Sequence, residues 1–138
     1  MKPFLFDCPL LPDNFKFPEE YSVAAIKNIL PEIEPWQFLA KDMATSLSYY
    51  GTLMTKFPDE PLIPFAIIDD ESGVYNEGWV VLACFDGKDN SGTPKVFIYD
   101  FSTPKISPWE NLTYDGFSDW LSAAREESRQ YLDEQDEF

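Results

Sequence analysis

Between Leu62 and Phe101 the chain carries three apolar runs, "LIPFAII", "GWVVLACFD" and "KVFIYDF", each bounded by turn-forming residues. Each run is too short for a typical helix and is rich in β-branched and aromatic side chains. All three therefore read as strands. The segment "GKDNSGTP" joins the second to the third and should close an antiparallel hairpin. Pro64 removes a ladder donor, which places the first strand at a sheet edge or at a bulge. The second run is nearly all apolar and suits a central strand.

Helices are expected on either side of these strands. One should start near Pro18 and Glu19, with Tyr21, Val23, Ile26, Ile29 and Leu30 as its apolar positions and Pro31 as its stop. A second is expected from "EPWQF", with Pro35 at the first helical position. Its apolar residues Trp36, Leu39, Met43, Leu47, Tyr50, Leu53 and Met54 recur at three- and four-residue steps. A third is expected after Thr113, which can cap it, with Leu112 and Phe117 as a hydrophobic staple. Phe117, Trp120, Leu121, Ala124 and Leu132 form its apolar side. The order predicts an α+β domain: N-terminal helices, an antiparallel meander of three to five strands, and a C-terminal helix packed on one sheet face. The other sheet face is expected to stay partly open.

A chain of 138 residues with 44% hydrophobic and 17% aromatic residues fits a single domain, 1–138, with its own core. Residues 1–17 read as an N-terminal extension and 133–138 as a frayed tail. The opening "MKPFLFDCPLLP" is interrupted by Pro3, Asp7, Pro9 and Pro12, and no run spans a bilayer, so a soluble cytoplasmic protein is expected.

The sequence contains no histidine, which excludes Ser-His-Asp, Cys-His and histidine-metal chemistry. Cys8 and Cys84 are too few for a disulfide framework or a usual zinc site, and Cys84 between Ala83 and Phe85 reads as a reduced core residue. The net charge is −15, divided as −5 over residues 1–69 (ten acids, five bases) and −10 over 70–138 (fifteen acids, five bases). Such a surface repels nucleic acid and anionic membranes and attracts a basic protein.

Candidate sites are few. "DGKDNSG" fails as a calcium loop, because Lys88 falls at the third ligand position and Ser91 where a glycine is needed. Asp69, Asp70 and Glu71 end the first strand. A carboxylate enzyme remains open there, although it would need a cleft and one acid kept protonated. The alternative is a recognition surface in which aromatic anchors sit among acids: Asp69, Asp70, Glu71, Tyr75, Glu77 and Trp79, with Asp86 and Asp89 on the next turn. Trp109 fits either a surface or a seal over the core. No catalytic residue, metal ligand or cofactor site is assigned.

The segment order resembles the SUKH superfamily, which includes yeast cell-wall regulators of the Smi/Knr type and many bacterial immunity proteins. The likeness runs over residues 18–132: Ile63, Pro64, Phe65 and Ala66 in the first strand, Cys84 to Asp86 ending the next, "VFIYD", and Phe117, Trp120 and Leu121 in the last helix. Many relatives show a glycine and an aspartate before the second strand, where this chain has Tyr75, Asn76, Glu77 and Gly78. The resemblance implies a non-enzymatic immunity protein, monomeric or weakly dimeric, that binds and neutralises a cognate basic toxin domain such as a nuclease. A regulator or scaffold of the same fold, binding an ordinary cellular protein, is the alternative.

Overall fold

The computed structural model describes residues 11–12, 15–40, 42–70, 72–73 and 75–136. The chain runs α1 (Glu19–Ile26), β1 (Trp36–Phe38), α2 (Met43–Lys56), β2 (Leu62–Ile68), a one-turn segment (Tyr75–Gly78), β3 (Val81–Asp86), β4 (Val96–Asp100), β5 (Thr113–Tyr114) and α3 (Phe117–Asp136). The strands form one sheet in the order β1-β2-β3-β4-β5, antiparallel throughout. The α+β class and the meander are as the sequence predicts.

Side chains alternate across the sheet, and both faces are covered. One face presents Phe65, Ile68, Val81, Phe85 and Ile98 to Tyr21 and Ala25 of α1 and to Phe117, Trp120, Leu121 and Ala124 of α3. Phe65 stacks on Phe85 with ring centroids 4.0 Å apart, and Trp120 meets Phe65 edge-on at 4.9 Å. The opposite face carries Leu62, Ile67, Leu82, Cys84, Phe97 and Tyr99 against Leu53 of α2, flanked by Tyr49, Phe57, Phe101 and Trp109. The open face expected from the sequence is absent: α2 and the segment after β4 lie over it. Trp109 packs on Phe57 and Phe97, so it seals this second layer.

Several boundaries differ from the sequence expectation for local reasons. Trp36 begins β1 rather than a helix, and α2 starts only after Asp42, whose carboxylate accepts hydrogen bonds from the Thr45 backbone (3.0 Å) and hydroxyl (2.8 Å). α1 stops before Pro31 because Asn28 turns left-handed (φ 59°). The Asn28 and Ile29 amides then bond back to Ala25 and Ala24, a Schellman ending. Thr113 lies in β5, so it does not cap α3, and Leu112 is exposed rather than stapled. Ser128 is buried where Leu132 was expected, Leu132 is exposed, and α3 stays helical through Asp136.

Pro64 lies in a strand flanked on both sides, where the register shifts between Pro64 and Ala66; the bulge is present and the edge is not. Gly87 is held by close approach: an added Cβ would come within 2.7 Å of the Pro61 carbonyl oxygen, which its own amide bonds at 2.8 Å. Of the N-terminal extension, Phe15 and Phe17 pack against Phe85, which joins that stretch to the core. Cys8 lies outside the described residues. Among the described residues no helix is long and apolar enough to cross a membrane.

Candidate functional site

Where β2 leaves the core, Asp69 is exposed and Asp70 turns inward to build the loop. One Asp70 carboxylate oxygen accepts the Ser72 backbone N–H at 3.0 Å and its hydroxyl at 2.5 Å, while the other accepts the Tyr75 N–H at 2.7 Å. Asp70 is therefore a structural member of this loop. Glu71 lies outside the described residues.

The chain then passes through three successive left-handed residues, Asn76 (φ 53°), Glu77 (φ 54°) and Gly78 (φ 82°). Only the last is a glycine, and each of the other two costs on the order of 1–3 kcal/mol. Hydrogen bonds hold them there. The Asn76 side-chain amide donates to the Trp79 carbonyl and to Asp100 Oδ1, both at 3.1 Å, and the Trp79 amide returns to the Asn76 carbonyl at 2.9 Å. Asp100, at the end of β4, also accepts from the Ser102 amide (2.8 Å) and hydroxyl (2.7 Å). Partial burial would raise the Asp100 carboxyl, but the bonds from Ser102 and Asn76 outweigh it and hold the group below the usual carboxylate range.

Among the described residues of the loop, Ser72, Glu77 and Trp79 have exposed side chains, the indole being 52% exposed. Asp69 stands beside them on the strand end, close enough to Tyr49 to add to the rise that burial gives its hydroxyl. These residues meet at one end of the sheet. Asp86 and Asp89 do not join them. The register pairs Ile68 with Val81 at the loop end and Leu62 with Asp86 at the other, so the six residues of β3 separate the two groups by about 17–20 Å. Asp86 accepts the Lys88 amide and Asp89 accepts Ser91, which makes them builders of the β3–β4 turn.

Behind the loop lies a cleft of about 170 Å³ between the sheet end and α3. Its floor is apolar, from Trp36, Ile68, Val81, Ile98, Trp120 and Ala124, and its polar lining comes from Tyr75, Asn76, Asp100, Asn111, Tyr114 and Glu127. The Tyr75 hydroxyl donates to Glu127 of α3. Burial, that hydrogen bond and the negative charges of Glu127 and Asp100 together push the Tyr75 hydroxyl far up. Trp36 is only 5% exposed, and among the described residues its indole N–H has no hydrogen-bond partner.

The sequence reading missed Asn76, Asp100, Tyr114 and Glu127. One signal was present: Asp70-Glu71-Ser72, Asp89-Asn90-Ser91 and Asp100-Phe101-Ser102 share an Asp-x-Ser pattern, and in each the aspartate accepts both the amide and the hydroxyl of the serine. Among the described residues no cluster of three or more acids or cysteines could hold a metal ion. No family model, curated protein or solved structure matches the chain.

Proposed function

We propose that this chain is a non-enzymatic immunity protein of the SUKH type that binds and neutralises a basic toxin domain, with the β2–β3 loop end as its binding face. One observation carries the reading. A left-handed turn, held by the Asn76 side chain and the Trp79 amide, presents a half-exposed tryptophan at the sheet end that also carries the exposed Asp69 and Glu77. Strain of this kind persists only where surrounding bonds impose it, and a fixed aromatic anchor ringed by charge is the chemistry of an interface hot spot. Because these bonds already tie residues 76–79 together, that stretch would forfeit little conformational entropy on binding.

The charge of −15 supports the same reading, since a basic partner such as a nuclease would be steered onto the acidic end at long range. An acidic face seated over a nuclease cleft would occupy the place of the phosphate backbone. Co-expression with candidate basic toxin domains tests the proposal. The expected result is rescued growth and a stoichiometric complex whose association slows as salt rises. Continued killing with no complex would overturn it.

A further inference from the structure

We infer that the cleft between the β2–β3 loop, β5 and α3 is a socket for one arginine side chain of the partner, gripped by Asp100 and Glu127 over an aromatic floor. This rests on the reading of the chain as a binder of a basic protein and names the group that it would take. Ligand pockets commonly enclose about 300–1,000 Å³. This one, at about 170 Å³, is sized for a side chain rather than a cofactor.

Its charge is one-sided. Asp100 and Glu127 line it, and among the described residues no lysine or arginine does and neither acid forms an ion pair. The donors inside are neutral: Tyr75 holds Glu127, and Asn76 holds Asp100. They fix the two carboxylates in place without cancelling their charge. A guanidinium brings a planar fork of donors that can meet two carboxylates and lie against Tyr114, Trp36 or Trp120, whereas an ammonium is a hydrated point charge.

Trp36 adds an independent sign. A buried indole N–H normally has an acceptor, and that of Trp36, a residue lining this cleft, has none among the described residues. A peptide carrying the arginine brings carbonyl acceptors that a bare cation lacks. Site, charge and vacant donor therefore converge on a peptide-borne guanidinium.

The test is a titration of the isotope-labelled protein, followed by NMR, with N-acetyl-arginine amide, its lysine counterpart and its neutral citrulline counterpart. Saturable shifts of the Trp36 indole N–H and the Asn76 side-chain amide are expected with arginine, several-fold weaker with lysine and absent with citrulline. Glu127→Gln keeps an acceptor for Tyr75 and should weaken arginine binding about tenfold. Equal responses to arginine and citrulline would overturn the socket. So would unsaturating shifts spread over Asp69 and Glu77, which would leave the acidic face standing as a general binding surface. Failure to bind any toxin, with the arginine titration intact, would instead sink the immunity reading alone.

Discussion

Tyr75 of the β2–β3 loop donates its hydroxyl to Glu127 of α3, fifty-two residues further along the chain. This bond ties the loop that presents Trp79 to the helix that covers the first sheet face. Replacing Tyr75 with Phe should therefore cost about 1–2 kcal/mol, the value of a half-buried bond to a charged acceptor. Chemical denaturation reads the cost, and hydrogen exchange should show the amides of residues 75–79 opening sooner while those of β3 stay protected.

The left-handed turn makes a second prediction. Asn76→Ala removes the amide that bonds Asp100 and Trp79 and leaves a side chain that resists positive φ, so a loss of about 2–3 kcal/mol is expected. Asn76→Gly loses the same bonds but relieves the backbone, and should recover about 1 kcal/mol of that loss. Equal stability of the two variants would show that the backbone is unstrained.

Asp100 gives the acid dependence its sign. Its carboxyl is held below the ordinary range in the folded protein, so its contribution is complete above the unfolded value of about 4 and is lost as pH falls through the lower folded value. Thermal unfolding from about pH 6 down to about pH 3 should fall more steeply for the natural protein than for Asp100→Asn, which cannot titrate. Parallel curves would remove Asp100 from the account.

The core is most sensitive at the Phe65–Phe85 stack, where the rings lie 4.0 Å apart and both residues are fully buried. Phe65→Ala should cost about 3–5 kcal/mol by denaturation. A cost below about 1 kcal/mol would mean that the aromatic layer repacks freely.

The strands were the readable part of this sequence, because Leu62–Ile68, Val81–Asp86 and Val96–Asp100 are short, apolar and bounded by turns. The continuous apolar character of the first two also carried the sign that both sheet faces are covered, since all seven β2 residues are buried. The helical spacing of Trp36, Leu39 and Met43 misled, because Trp36 and Leu39 are buried from a short strand and the turn after it while Met43 is 54% exposed. Asp69, Tyr75, Glu77 and Trp79 do gather at one end, as one local loop would. The cleft was not legible, because Trp36, Asp100, Tyr114 and Glu127 come from four separate elements or their ends, joined only by the fold.

The most direct measurement compares two sets of substitutions by their effect on affinity for the proposed basic toxin domain, once such a partner is captured. One set combines Trp79→Ala with Asp69→Lys and Glu77→Lys, all exposed at the loop end; the other reverses the exposed Glu60 near the opposite turn. Both proteins should unfold within about 0.5 kcal/mol of the natural one, as exposed substitutions do. The account predicts that the loop set weakens binding at least about a hundredfold, the loss of a hot spot, while Glu60→Lys stays within about threefold. An unchanged affinity for the loop set would contradict it.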